Sequence, residues 1–128
     1  MNQIYQITNK EIEKIKMDCL ETYIVDIDGG KILNLSQFLD IMTEKFKFPI
    51  PSKSLDSYLD WIRDLSWIDS QEFVLIIRNF SLFLKDDLTT KNEIIDDFKE
   101  IILPWWETEV EQCVVGGKAK PFNIYLID

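Results

Sequence analysis

Three short runs of β-branched and aromatic residues alternate with longer segments in which apolar residues recur every three or four positions. Residues 23–27, 73–77 and 122–127 predict strands, and the second run is apolar on both faces. A strand without a polar face suits a sheet that helices cover on both sides. Because helical segments separate the runs, the crossovers are long enough for parallel pairing. The pattern predicts an α/β fold with a small three-stranded parallel sheet flanked by helices.

The two helices expected between the first and second strands each begin at a capping residue. Asn34, followed three positions later by Gln37, predicts the start of the first helix, which must end before Pro49. The second helix is expected to begin near Ser54, where apolar residues again recur at helical spacing.

One more helix is expected between the second and third strands. Thr90 and Glu93 form a capping box before another apolar stripe, which predicts a helix that stops before Pro104. We interpret Trp105 and Trp106, which follow this proline, as core residues because tryptophan side chains are usually largely buried.

The N-terminal segment is predicted to be a helical extension. Thr8 and Glu11 form a capping box before a weaker apolar stripe, which predicts a helix over residues 9–20. No linker, repeat or low-complexity tract divides the rest of the chain. We therefore expect an extension over residues 1–22 and one domain over residues 23–128.

The acidic side chains are concentrated in one part of the chain. The formal net charge is −9, and residues 54–113 alone hold 14 acidic and 5 basic side chains. Such a surface repels the phosphates of nucleic acids and of anionic membranes, and it favours a basic protein partner. No segment approaches the roughly 18 apolar residues of a membrane span. The first residues lack the features of a signal peptide, so a cytoplasmic location is expected.

The composition also argues against catalysis. Histidine is absent, which removes the side chain most often used for proton transfer near neutral pH and the commonest zinc ligand. Cys19 and Cys113 are far apart and are interpreted as free thiols of a reducing compartment. We expect a monomeric, non-enzymatic protein with no catalytic residue, no cofactor and no bound metal.

One pair of carboxylates leaves an enzymatic alternative open. Residues 23–29, with Asp26 and Asp28 at the end of the first strand, resemble the first motif of haloacid-dehalogenase-type phosphatases. In that family the first carboxylate is the nucleophile, the second is an acid–base group, and magnesium lies between them. A further carboxylate pair is needed at a later strand end, whereas Asp96 and Asp97 lie inside a predicted helix. A polar turn after the strand explains the same residues.

An acidic stripe follows the helix expected after Ser54. Asp56, Asp60 and Asp64 recur every four residues, which places their side chains along one helix face. Like charges at this spacing destabilise a helix by a few tenths of a kcal/mol per pair. The helix after Thr90 carries a second acidic face. A solvated face explains each stripe alone, but together they predict a continuous negative surface for a cationic partner.

Several segments, taken in order, are similar to the barstar family, small acidic inhibitors and immunity proteins that neutralise secreted ribonucleases of the barnase type. Residues 55–64 and 65–79 carry most of the resemblance. An Asp-Gly turn after the first strand and a Pro-Phe strand at residues 121–126 extend it over residues 23–128. The resemblance implies a three-stranded parallel sheet and blockade of a nuclease active site by the second helix and the loop before it.

The resemblance also implies a binding site. The family's acidic helix motif falls on Leu55, Asp56, Leu59 and Asp60, and its auxiliary acid falls near Glu100. With the neighbouring positions, the expected partner-binding residues are Asp56, Asp60, Leu59, Asp64, Ser52, Ser54 and Glu100.

The loop before the helix departs from the family pattern. Residues 50–54 lack the family's aromatic residue, glycine and asparagine and include Lys53, while Leu59 stands at a frequent tryptophan position. Loss of the glycine prevents close backbone approach to a partner. We expect a basic nuclease or toxin other than barnase. An acidic adaptor that inhibits no enzyme is a third alternative, beside the magnesium-dependent phosphatase.

Overall fold

The computed structural model of this chain describes residues 1–17 and 21–128 and contains one parallel sheet. Its strands are β1 (Ile4–Gln6), β2 (Thr22–Asp28), β3 (Glu72–Arg78) and β4 (Phe122–Leu126), in the spatial order β1-β4-β3-β2. All neighbouring strands are parallel. The α/β class and the parallel sheet are confirmed. The expected number of three strands is wrong, because β1 adds a fourth strand beside β4.

The N-terminal segment is not only helical. Its strand β1 pairs Ile4 with Ile124, and the Gln3 backbone N–H donates to Asn123 Oδ1 at 3.0 Å. Helix α1 (Asn9–Met17) follows, and Thr8 Oγ1 accepts from the Glu11 backbone N–H at 3.3 Å, as the capping box predicts. The rest of the helix predicted to residue 20 lies outside the described residues, as does the free thiol predicted for Cys19.

Helices α2 (Leu35–Lys45) and α3 (Leu55–Ile62) begin where their capping residues predict. Asn34 Oδ1 accepts from the Gln37 backbone N–H at 2.9 Å, and Ser54 Oγ accepts from the Ser57 backbone N–H at 3.2 Å. Each bond satisfies a backbone donor that has no partner inside the helix.

The helical segment after β3 is longer than the sequence indicates. Helix α4 (Leu88–Asp97) is capped by Asp87, whose Oδ1 accepts from the Thr90 backbone N–H at 3.2 Å, so the predicted cap at Thr90 is wrong. The predicted end before Pro104 is also wrong. Pro104 has helical dihedral angles, φ −63° and ψ −35°. Two π-helical turns, Phe98–Ile102 and Trp105–Glu109, continue the helix to α5 (Val110–Cys113). Their wider hydrogen-bond pattern accommodates a residue that lacks an N–H.

Alternating residues of β3 divide the core between the two sheet faces. Phe73, Leu75 and Ile77 are fully buried with the residues of α2, α3 and α4. Val74 and Ile76 pack on the opposite face against Ile12 of α1. Helix α1 therefore lies on the side of the sheet opposite α3.

The structure also shows the exposure of the two adjacent tryptophans and of Cys113. Trp106 is buried and Trp105 is half-buried against the core, as expected. Cys113 is an exposed free thiol. In the part of the chain that the structure describes, no helix is long and apolar enough to span a bilayer.

Candidate functional site

Helix α3 holds its acidic residues outward because its opposite face is locked into the core. Tyr58 and Ile62 are fully buried, and the Tyr58 ring packs edge-on against Phe38 with ring centroids 5.3 Å apart. Asp56 and Asp60 lie about half a helical turn away from these buried residues and are exposed. The burial of one face therefore fixes the direction in which the carboxylates point.

Arg63 partly compensates one of these carboxylates. Its Nη2 lies 3.2 Å from Asp60 Oδ1, its Nε donates to the Leu59 carbonyl at 3.1 Å, and its guanidinium lies 5.5 Å from the centre of the Trp105 ring. The Asp60 side chain is nevertheless 78% exposed, and exposed ion pairs contribute little to the free energy of folding. Within residues 1–17 and 21–128, Asp56 has no ion pair at all. Both carboxylates are thus available to an external cation.

Asp64 lies beyond the helix and not on its face. Helix α3 ends at Ile62, and the Asp64 carboxylate accepts from the Ser66 backbone N–H at 3.3 Å in the following turn. Leu65 has a φ of +51°, which is the left-handed conformation that often follows the end of a helix. Glycine is the usual residue at such a position. The predicted three-residue stripe is therefore two helical residues followed by an exposed carboxylate in the turn.

The other predicted site residues differ in accessibility. Ser54 and Glu100 are exposed, and Leu59 is half-buried against the core. Ser52 is only 1% exposed, and its backbone N–H donates to Thr43 Oγ1 at 3.1 Å. Its side chain does not reach the surface, so we correct the expectation that it contacts a partner.

The loop before α3 is anchored at several points. Trp67 Nε1 donates to the Phe46 carbonyl at 2.9 Å, and the Trp67 ring meets Phe48 edge-on. Within this loop, Ser52 is buried, whereas the side chain of Ile50 lies at the surface and is 62% exposed. These contacts set the entry of the chain into α3.

One carboxylate of the second acidic face, that of Asp97 on α4, lies near the buried Tyr58 of α3. Burial and the carboxylates of Glu93, Asp96 and Glu100 raise the pKa of Asp97. Burial raises the pKa of Tyr58 well above its usual value, and the Asp97 carboxylate raises it further, which places Asp97 beside α3. The Tyr58 hydroxyl has no hydrogen-bond partner among the described residues. The structure therefore places Asp97 near the buried side of α3, whereas Asp56 and Asp60 point away from that side.

The sequence did not reveal the groups that hold the end of α3. Trp105 Nε1 donates to the Arg63 carbonyl at 2.8 Å, and Trp106 Nε1 donates to the Ile62 carbonyl at 3.0 Å. These carbonyls have no partner within the helix, so the two indoles act as caps from a distant segment. Adjacent tryptophans after an amphipathic helix indicate burial, but they do not indicate which backbone they bind.

Asp26 and Asp28 lie at the carboxyl end of β2, where hydrogen bonds hold both carboxylates. Asp26 accepts from Arg78 Nε at 2.9 and 3.1 Å and from Lys16 Nζ at 2.7 Å. Asp28 Oδ1 accepts from the Gly30 backbone N–H and from Asn79 Nδ2. No group of three or more acidic or cysteine residues is placed to hold a metal in the described ranges. These bonds tie α1 to β2 and shape the turn after β2, and they engage both oxygens of Asp26 and one oxygen of Asp28.

The Asp26 network predicts an acid-sensitive contribution to stability. Burial works to raise the pKa of Asp26, but the bonds from Arg78 and Lys16 outweigh it and lower that pKa. The contribution is thus present above the unfolded pKa of about 3.9 and is lost as pH falls through the folded pKa. We expect Asp26→Asn to lower the free energy of unfolding at neutral pH by about 1–2 kcal/mol. Urea denaturation should show this loss shrinking below about pH 4. A loss that is constant with pH would contradict the ion-pair assignment.

Comparisons with known proteins place this geometry in context. The family model described as Barstar (barnase inhibitor) matches residues 22–117. Among solved structures, the fold is similar to that of the ORC2 protein of Aeropyrum pernix in its ADPNP–ADP complexes, with a TM-score of 0.50 and 14% identity. That alignment covers 98% of this chain but 34% of the other, so the chain spans about a third of that protein's length. At this identity the likeness concerns the fold alone. The curated proteins give no match.

Proposed function

Because this chain belongs to the barstar family, we propose that it is an inhibitor or immunity protein that binds and blocks a basic nuclease or toxin domain. We assign binding to the acidic surface, defined as the exposed carboxylates of α3 and its following turn together with the acidic face of α4 and of the π-helical turn after it: Asp56, Asp60, Asp64, Glu93, Asp96, Asp97 and Glu100. The observation that carries the proposal is the exposure of Asp56 and Asp60 on a helix whose other face is locked in the core.

The mechanism is blockade without covalent chemistry. A nuclease active site binds the phosphates of its substrate with basic side chains, and carboxylates on a rigid helix can take the place of those phosphates. Asp56 and Asp60 repel each other at i,i+4 spacing, and Glu93, Asp96 and Glu100 repel Asp97, and both repulsions cost stability in the free protein. A basic partner removes that repulsion, so the cost becomes a favourable contribution to binding.

The partner differs from barnase in this proposal. Lys53 adds a positive charge beside the acidic surface, and Leu59 is a smaller contact than the tryptophan frequent at that position in the family. The bulk of Ile50 and the lack of a glycine in the loop favour a partner with a wider cleft.

Affinity capture combined with an activity assay tests the function. The full chain, immobilised and exposed to an extract of its native cells, is expected to retain a basic protein whose nuclease or toxin activity the free chain blocks in a one-to-one complex. Association should slow as salt rises, since exposed charges are screened beyond about 8–10 Å at moderate ionic strength. A retained protein whose activity is unaffected would favour the adaptor. Magnesium-dependent phosphate release that Asp26→Asn abolishes would favour the phosphatase.

The Asp97 carboxylate is expected to lower the stability of the free protein and to strengthen binding of the partner. Its raised pKa means that ionising it costs the folded chain more than the unfolded chain, so this cost is present above the folded pKa and vanishes below the unfolded value. We expect Asp97→Asn to increase the free energy of unfolding at neutral pH by a few tenths to about 1 kcal/mol while weakening binding of the captured partner. Urea denaturation and a binding titration measure the two effects, with Asp40→Asn as the control for loss of an exposed charge. Destabilisation at neutral pH, or unchanged binding, would contradict this role.

A further inference from the structure

A shallow apolar groove lies beside the acidic surface, between the end of α3 and the loop that follows α5. Its volume is about 290 Å³. Trp106 and Val110 contribute apolar surface, Val114 and Val115 line it from the loop, and Asp64 borders it on the α3 side. A space of this size is at or below the lower limit of small-molecule pockets and is suited to a single side chain.

The loop that forms one wall of the groove is held by backbone hydrogen bonds. The Val114 N–H donates to the Val110 carbonyl at 3.1 Å, and the Gly117 N–H donates to the Val114 carbonyl at 2.9 Å. Gly116 has a φ of +75°, which a type II turn requires at its third position and which glycine adopts without strain. A Cβ on Gly117 would lie 2.4 Å from the Val110 carbonyl oxygen, so only glycine fits there. The turn therefore has a defined shape.

This turn displays apolar side chains to solvent. Val115 occupies the corner of the turn and is fully exposed, and Val114 is 45% exposed. The chain on the far side of the turn is fixed as well, since the Lys120 N–H donates to the Trp106 carbonyl at 2.9 Å. The valines therefore cannot fold inward without breaking these bonds. Val114 and Val115 extend the apolar lining of the groove out to the solvent side of the turn.

The groove is continuous with the acidic surface through Asp64. That carboxylate borders the groove, and within residues 1–17 and 21–128 it forms no ion pair and accepts a hydrogen bond from the Ser66 backbone N–H at 3.3 Å. The neighbouring Arg63 is already engaged by Asp60 and the Trp105 ring. Lys118 and Lys120 also line the groove, and the Lys120 ammonium donates to the Ser70 carbonyl at 2.7 Å. These lysines disfavour a cation anywhere in the groove except beside Asp64.

We propose that this groove takes one apolar side chain of the basic partner, adjacent to a basic residue of that partner that pairs with Asp64. The inference rests on the proposed function, because the groove extends the same surface. The apolar contact supplies specificity that carboxylates alone do not provide, since many basic proteins satisfy a purely acidic surface.

A partner-independent experiment tests the groove directly. Acetyl-leucyl-arginine amide, titrated into the full chain to tens of millimolar, is expected to shift the NMR signals of the Val115 and Gly117 amides and the Trp106 indole N–H, with a Kd on the order of millimolar. Acetyl-leucyl-glutamate amide should bind several-fold more weakly because Asp64 repels it. Absence of shifts with both peptides, or equal shifts with both, would overturn the proposal.

Variants separate this proposal from the proposed function. We expect Val115→Ser to remove the peptide-induced shifts and to weaken binding of the captured partner by about 5- to 30-fold, with exposed Leu33→Ser as the matched control. If Asp60→Asn weakens partner binding and Val115→Ser does not, the groove assignment fails and the inhibitor function stands. If no basic partner is inhibited, the function fails whatever the peptide result. A concentration-dependent dimer that Val115→Ser abolishes in sedimentation would identify a second copy as the occupant and refute the proposal.

Discussion

Replacing Asp60 with asparagine is expected to weaken binding of the captured partner by roughly 30-fold to several-thousand-fold, the largest effect of any single carboxylate. That general range for truncated interface charges includes barstar's own complex with barnase and is borrowed from it. The physical reason is that Asp60 projects from the last turn of α3, and its loss leaves a basic group of the partner without a counter-ion in the interface.

Two comparisons make the Asp60 result specific. Asp40→Asn removes the same charge from an exposed position on α2 and should change affinity by less than about 5-fold. Asp56→Asn is expected to fall between the two, because Asp56 lies in the first turn of α3. Isothermal titration with the captured partner measures all three. If Asp56 and Asp60 can both be replaced without change in affinity, the assignment of the binding surface to α3 is wrong.

Replacing Ile12 with alanine is expected to lower the free energy of unfolding by about 2–5 kcal/mol, a substantial fraction of the stability of a domain of this size. Ile12 is fully buried on the sheet face opposite α3, against Val74, Ile76 and Ile127. Truncating it leaves a cavity in the contact between α1 and the sheet. Urea denaturation with linear extrapolation measures the loss.

The matched control for this effect is Ile50→Ala, the same substitution at a side chain that is 62% exposed, with an expected change within about 0.5 kcal/mol. Partner affinity of folded Ile12→Ala should equal that of the parent chain, because α1 and α3 lie on opposite faces of the sheet. A loss no larger than that of Ile50→Ala would mean that the N-terminal segment contributes little to the fold, in keeping with an extension over residues 1–22.

The strands and helices that the sequence predicts are those with strong local signals. The run at residues 73–77 is apolar at every position, and Asn34 and Ser54 each accept the backbone bond that a capping residue makes. Strand β1 escaped detection because three residues are too few to show an alternation. The prediction that the helix stops before Pro104 was wrong, although a proline normally ends a helix. Only the structure shows the π-helical turns on either side of Pro104 through which the helix continues.

Some features of the candidate site could be predicted from local sequence, and others could not. The spacing of Asp56 and Asp60 placed both on one helix face, since helical geometry depends only on local sequence. The burial of Ser52 and the position of Asp64 beyond the end of α3 depend on how the flanking loops pack. Sequence spacing could not foresee either, because Ser52 packs against α2, where its N–H donates to Thr43, and the end of α3 is held by the indoles of Trp105 and Trp106.

By itself, the sequence determined the capped helices and the position of the negative charge along the chain, because both are local, and it determined the α/β class and the parallel pairing, because long helical segments separate the predicted strands. Only the tertiary structure decided which charges are available. It binds Asp26 to Arg78, sets Asp97 beside Tyr58, and holds the end of α3 with the indoles of Trp105 and Trp106. These outcomes require residues tens of positions apart to meet, and the free energy of that meeting comes from burying the shared core and not from any local pattern.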